Sequence, residues 1–279
     1  MAELPNVLLD VGNRAENVLL VREMLTGVAE AIELDGSDLN DILTAVTEAC
    51  NNVVLHAYEG EEGPLEVEVE LASHALEVVV RDYGIGIQTQ STPSGPSLGI
   101  GLTVIQALVH RVELRDRPDG GTEVRMEFAV ANTDALESLR RDGVRSPTCA
   151  RAGPADATTT VTIAPIDLAR TVLPRVLSTL AARAHFSTDR ISDTLLVADA
   201  LVVHAPESLG TDHLRIAVSV QPRNLELHIG PLGEGRAEQL VGDSNLDGLG
   251  RVIEKLADRQ SVAGAGPNET LTLALTDRR

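Results

Sequence analysis

The chain has 279 residues and a formal charge of −19, from 23 Lys+Arg against 42 Asp+Glu, a field that repels nucleic-acid phosphates and anionic lipid. Lys255 is the only lysine, which excludes a GxxxxGK[ST] phosphate loop and the strand lysine of eukaryotic-type protein kinases. Two Phe, two Tyr and no Trp require aliphatic cores and leave no platform for stacking bases.

The length suits about two domains. Residues 14–32 set Val18, Val21, Leu25, Val28 and Ile32 at helical spacing, which predicts an amphipathic helix. A second helix is expected over 37–57, with Ser37 as N-cap and Leu39, Ile42, Leu43, Val46 and Val53 as its buried stripe. After the turn EGEEGP, residues 65–71 (LEVEVEL) alternate strictly and predict a strand with one wet face. Residues 76–80 (LEVVV) predict a more apolar, central strand. A Gly/Ser/Pro-rich stretch precedes an apolar helix over 102–109, and strands over 112–115 and 122–128 flank the turn 118–121. The expected fold is α+β: a two-layer sandwich of a mixed or antiparallel sheet with helices on one face.

Residues 141–157 lack periodicity and read as a linker between a domain over 1–140 and another over 158–279. Beyond the linker the pattern returns. NNVVLHAY is echoed by ADALVVHAP (His204 against His56, offset 148), LEVVV by LELHI (Leu225 against Leu76, offset 149), and TVIQALVHR by RVIEKLADR (Val252 against Val104, offset 148). Three matches in order at nearly one offset predict the same fold twice in tandem. Cys50 and Cys149 form no CxxC or His/Cys cluster, which suits a reducing compartment. With no basic start before an apolar run and no membrane-length apolar stretch, a cytoplasmic protein is expected.

Four motifs in the first domain can carry chemistry. Glu48 and Asn52, four apart, share a helix face, and a carboxylate with an amide can hold a divalent cation such as Mg2+ and orient a hydroxyl. Asp82-Tyr83-Gly84-Ile85-Gly86 leaves the apolar strand, placing a carboxylate suited to the amine of adenine beside backbone a ring can approach. Leu98-Gly99-Ile100-Gly101 opens a helix, where free amides favour phosphate. Gly120-Gly121-Thr122 brings a hydroxyl into the last strand. Singly, each also fits a plain structural role: a solvated helix face, a turn, a tight packing contact, a β-former.

In this order the four motifs resemble the Bergerat (GHKL) ATP-binding fold of gyrase, Hsp90, histidine kinases and MutL. TEACNNVVLHAY, VVVRDYGIGI and LGIGLTVIQALVHRVEL are most similar to the anti-sigma-factor serine kinases, over residues 5–130. The resemblance implies ATP and Mg2+ as cofactors. Asn52 would ligate the metal, Asp82 bind the adenine amine, and Gly84 and Gly86 shape the base pocket. Gly99 and Gly101 would line the phosphates, Thr122 contact the base indirectly, and Glu48 act as general base. It implies a protein serine kinase and anti-sigma factor with two partners, a sigma factor and an anti-anti-sigma (STAS-type) protein whose serine is phosphorylated; neither nucleic acid nor membrane is contacted directly. Partner contacts would include an early arginine, with Arg14 and Arg22 both near the place.

Two departures favour an alternative, a non-catalytic ATP-binding scaffold that sequesters a transcription regulator: the lid segment 88–97 is short and holds no Lys or Arg, and the second copy lacks the motifs. The second copy reads as degenerate. Pro231 stands in the place of Asp82, no asparagine matches Asn52, and Asp199 falls on Glu48 only across a three-residue gap. Asp247 precedes a surviving Gly248-x-Gly250 and would repel phosphate. Because kinases of this family pair as dimers, the two copies are expected to form an internal pseudo-dimer, the linker holding them at about millimolar local concentration.

Overall fold

The computed structural model describes residues 5–86, 97–139, 159–246, 248–264, 266 and 268–278, with backbone alone at 97–100. Two compact units divide the chain at Arg140–Arg141. The lid segment up to residue 96 and the expected linker lie outside the described residues, as does Cys149.

The first unit runs β1 (Val7–Gly12), α1 (Asn17–Ala31), α2 (Gly36–Asn52), a π-helical turn (Val53–Ala57), β2 (Pro64–Leu71), β3 (Ala75–Asp82), α3 (Ser97–Leu108), β4 (Arg111–Asp116), β5 (Thr122–Ala129) and α4 (Thr133–Leu139). Its strands pair antiparallel in the order β1-β2-β3-β5-β4. Strand β1 is absent from the expected list, although Val7, Leu9 and Val11 alternate with half-exposed neighbours and are almost fully buried. Six residues at the head of the chain give a period-2 signal that is easily passed over.

Alternation in the strands builds the two layers. Leu65, Val67, Val69 and Leu71 of β2, Leu76, Val78 and Val80 of β3, and Val124, Met126 and Phe128 of β5 are buried on one face. They meet the stripe Val18, Val21, Leu25 and Val28 of α1 and Ile42, Val46 and Ala49 of α2. Expected Leu39 is only half-buried, the other members of the two predicted stripes being buried.

The opposite face of the sheet is ionic. Arg81 on β3 bonds Glu68 of β2 on one side and Glu123 of β5 on the other (2.6 Å to Glu123), and Arg125 pairs with Glu77 and Glu123. Burial works against the charge on Glu123, but Arg81 and then Arg125 outweigh it and hold its carboxyl below the usual range.

Three local features differ from expectation. The N-cap of α2 is Asp35, whose carboxylate accepts from the amides of Ser37 (2.8 Å) and Asp38 (3.1 Å) and from the Ser37 hydroxyl (2.7 Å). Ser37 is thus a donor inside the first turn, the longer-reaching charged acceptor having taken the cap. The α-helix ends at Asn52 and gives way to the π-turn. Helix α3 begins at Ser97, before Gly99 and Gly101, where the glycines had predicted a start at Leu102.

The second unit runs β6 (Thr159–Ile163), a short 3-10 turn (Ile166–Leu168), α5 (Ala169–Arg183), α6 (Thr188–His204), a 3-10 turn (Ala205–Glu207), β7 (Leu214–Gln221), β8 (Asn224–Leu232), α7 (Arg236–Asp243), β9 (Asn245–Leu246), β10 (Gly250–Arg251), α8 (Val252–Leu256), β11 (Arg259–Ala263) and β12 (Glu269–Thr276). Its main strands pair antiparallel in the order β6-β7-β8-β12-β11, and β9 and β10 form a separate small hairpin. Its core is again aliphatic, with Leu173, Leu177, Leu201, Ile216, Leu227, Ile229 and Leu273 fully buried. No described helix is long and apolar enough to cross a membrane.

The depressed carboxyl of Glu123 contributes stability that is complete above its unfolded value, about 4.3, and is lost as pH falls below it. A Glu123→Gln variant should therefore show a shallower acid-side loss of stability than the parent in denaturant titrations between about pH 6 and 3.

Candidate functional site

Asp82 shares its strand face with Leu76, Val78 and Val80, so β3 ends by turning a carboxylate inward, towards the helices, where it is 4% exposed. A carboxylate there needs donors. Oδ1 accepts from the amide of Gly84 at 2.9 Å, and among the described residues no donor reaches Oδ2.

The backbone after Asp82 is held amide by amide. The Tyr83 amide donates to the Tyr58 hydroxyl (2.8 Å), the Gly84 amide to Asp82, and the Ile85 amide to the carbonyl of Ala57 (3.0 Å). The π-turn delivers that carbonyl: one extra residue in the last turn of α2 re-aims Ala57 at the loop. The approach is so close that a Cβ on Gly84 would lie 1.8 Å from the Ala57 oxygen, so only glycine fits. Gly121, in the turn just before β5, supports the same corner, with φ +88 and a hypothetical Cβ 2.1 Å from the Asp82 carbonyl oxygen. Gly86 lies against Asp116, and Thr122, half-buried, opens β5 opposite Asp116. Arg81 pairs with Glu123 in the ladder, so Asp82 and Thr122 are the next residues where the two strands end. The sequence reading missed Tyr58 and Asp116, together with Arg117, whose guanidinium stacks 4.4 Å over the exposed Tyr83 ring.

Glu48 and Asn52 lie one turn apart on α2, both half-buried. Helix α3 crosses close to them. A methyl group at Gly101 would stand 3.3 Å from Glu48 Oε2, 3.6 Å from Asn52 Oδ1 and 3.7 Å from Asn52 Nδ2. The two side chains therefore converge on one point, and the glycine keeps it open. This alters the expected role of the GxG pair. Gly99, third in the helix, carries one of the unpaired N-terminal amides, whereas the amide of Gly101, fifth in the helix, turns back into it by α-helical geometry. Gly101 contributes space.

Cys50, between the two, faces the core instead; burial pushes its thiol up to about 12 and leaves it inert at neutral pH. No group of three or more His, Cys, Asp or Glu suited to a metal occurs among the described residues. A cation at Glu48 and Asn52 would thus draw its remaining ligands from water or a phosphate. Arg22 of α1 donates to Thr47 Oγ1 (3.0 Å) and to the Leu43 carbonyl (3.4 Å), committing it to α2, while Arg14 makes an exposed pair with Glu62 (2.7 Å).

In the second unit, Pro231 lies within β8 and Asp199 on α6, where burial raises its carboxyl above the usual range. Gly248 and Gly250 lie at the β9–β10 hairpin, before a five-residue α8, and Asp247 is outside the described residues. The N-terminus of α7 is filled from within: Glu269, first residue of β12, accepts from the amides of Gly235 (2.8 Å) and Ala237 (3.2 Å).

Residues 11–128 match the family of histidine kinase-like ATPase domains. The chain is 26% identical over 124 residues to an anti-sigma F factor of Clostridium kluyveri, covering 41% of this chain and 87% of the relative. It is 28% identical over 123 residues to an anti-sigma F factor of Caldanaerobacter subterraneus, covering 41% and 86%. It is 26% identical over 127 residues to the serine-protein kinase RsbW of Bacillus mycoides, covering 41% and 79%. The family match over 11–128, these relatives and the antiparallel sheet backed by helices identify the first unit as a GHKL-type histidine kinase-like ATPase domain, similar to the anti-sigma kinases.

Proposed function

We propose that the first unit binds ATP with Mg2+, and that the chain is a cytoplasmic protein serine kinase and anti-sigma factor: it binds a sigma factor and phosphorylates a serine of an anti-anti-sigma (STAS-type) partner. The observation that carries this reading is the convergence of Glu48 and Asn52 on the space kept by Gly101, on the same helix whose π-turn anchors the Asp82 loop. In this reading Oδ2 of Asp82 accepts from the adenine amine while Gly84 and Gly86 shape the base pocket, and Thr122 reaches the base through water. The first amides of α3, Gly99 among them, receive phosphate.

The donors present suit a hard divalent cation, since Asn52 offers a neutral oxygen beside the Glu48 carboxylate and the glycine leaves room for phosphate. Asn52 would hold the metal, which when bound neutralises phosphate charge. Glu48 would take the proton from the partner's serine hydroxyl. The serine oxygen bonds to the γ-phosphorus, the bond to the bridging oxygen breaks, and ADP departs with that electron pair.

The scaffold reading rests on two features, the lid sequence without Lys or Arg and the degenerate second copy. The RsbW relative, a serine-protein kinase by name, supports the kinase reading, and the anti-sigma F factor relatives support the anti-sigma reading.

For the second unit we propose a degenerate copy that binds no nucleotide. Supporting this are the matching antiparallel order of its main strands, Pro231 at the place of Asp82, and Glu269 opening β12 as Thr122 opens β5, although α7 and the β9–β10 hairpin are additions between β8 and α8. With a carboxylate already seated on the amides of α7, an anionic ligand there would meet a like charge.

At about 100 times its Kd, Mg-ATP should stabilise the first unit by about 2.7 kcal/mol, read as a rise in Tm of several degrees. An Asp82→Asn variant should bind ATP about 10- to 100-fold more weakly, since a charged acceptor is lost. With a cognate partner, Glu48→Gln should retain ATP affinity but transfer phosphate about 10²- to 10⁴-fold more slowly, measured with radiolabelled ATP; absence of transfer by the parent chain would favour the scaffold. Isothermal calorimetry should find one ATP per chain, and a stoichiometry of two would refute the degenerate copy.

A further inference from the structure

We infer that Tyr58 is a positioning residue for adenine recognition, acting through the peptide that follows Asp82. The inference rests on the ATP-binding reading above and assigns part of that site's selectivity to a side chain outside the four motifs.

The Tyr58 hydroxyl sits between two strands. It donates to the carbonyl of Pro64 at the head of β2 (2.5 Å) and accepts from the amide of Tyr83, the residue after Asp82, at 2.8 Å. One oxygen thus ties the end of β3 to the start of its neighbour and fixes the peptide plane from which Asp82 leaves. The second tie is the Ala57 carbonyl to Ile85, from the residue preceding Tyr58. Between the two, the Gly84 amide holds Oδ1 of Asp82, leaving Oδ2 as the oxygen without a donor among the described residues.

The ring is seated by its own dedicated turn. A Cβ on Gly63 would fall 2.1 Å from a Tyr58 ring carbon, so this glycine exists as a socket for the ring. That turn is clamped by Asn13, at the end of β1, which is 9% exposed. Its Oδ1 accepts from the Gly63 amide (2.9 Å), its own amide donates to the Gly63 carbonyl (2.8 Å), and its Nδ2 donates to the Glu61 carbonyl (3.1 Å). Three elements therefore hold one phenol oxygen in place. Such an investment is more than a surface tyrosine needs, because a phenylalanine ring would fill the same socket equally well.

The role is tested by separating adenine recognition from general integrity. ATP and purine riboside 5′-triphosphate, which lacks the exocyclic amine that Asp82 accepts, are titrated against the full chain and its Tyr58→Phe variant. The parent should prefer ATP. The variant keeps the ring and loses only the hydroxyl, so it should bind ATP about three- to tenfold more weakly while its affinity for the purine analogue stays unchanged, narrowing the preference by the same factor. Equal losses for both ligands, or no loss for ATP, would overturn the inference and leave Tyr58 a purely structural residue. If the parent itself binds neither ligand, the ATP reading fails first, which the Asp82→Asn control reports separately. Should Tyr58→Phe not fold, replacing Tyr83 by its α-hydroxy acid removes the same bond from the donor side, with the same expected and overturning results.

Discussion

The first unit is organised around a carboxylate on the wrong side of a sheet. Asp82 occupies the inward register that Leu76, Val78 and Val80 establish, at the point where β3 stops. Desolvating that group is unfavourable, and one amide bond to Oδ1 meets only part of its demand. Everything near it is arranged to tolerate the remainder: a π-turn that brings a carbonyl within reach, two glycines through which backbones pass at contact distance, and a tyrosine that fixes the next peptide. Local irregularities of this kind are concentrated where a structure must keep a polar group exposed to a ligand instead of to its own core.

The same economy appears at the other corner. Glu48 and Asn52 are ordinary helix residues until α3 crosses them, and it crosses closely because position 101 has no side chain. The π-turn joins the two corners covalently, since the helix bearing Glu48 and Asn52 runs without interruption into Ala57. The Asp82 loop and the face bearing Glu48 and Asn52 are therefore both anchored on one continuous backbone segment.

Much of this was legible beforehand. Strict alternation over 65–71 identified β2, the turn 118–121 marked β4 and β5, and the periodic stripes of α1 and α2 are buried except at Leu39. The order Glu48, Asn52, Asp82, Gly84, Gly86, Gly99, Gly101, Thr122 was readable because spacing survives in one dimension. What was lost depends on the third. Glycines at 99 and 101 look like helix breakers by intrinsic propensity, yet α3 includes them because packing against α2 overrides that cost. Asp35 took the cap from Ser37 through reach and charge, which no spacing rule weighs. Tyr58 ends the segment TEACNNVVLHAY but nothing in one dimension gives it a role, which comes from its hydroxyl meeting an amide 25 residues later.

The ionic face of the first sheet has a consequence for architecture. Arg81, Arg125, Glu68, Glu77 and Glu123 pair across three strands, with Arg125 Nε left without a partner among the described residues. Stacking another layer there would strip water from five charges at once while offering them no better partners. Electrostatics thus caps this unit at two layers, and growth or association through that plane is disfavoured without any steric barrier being needed.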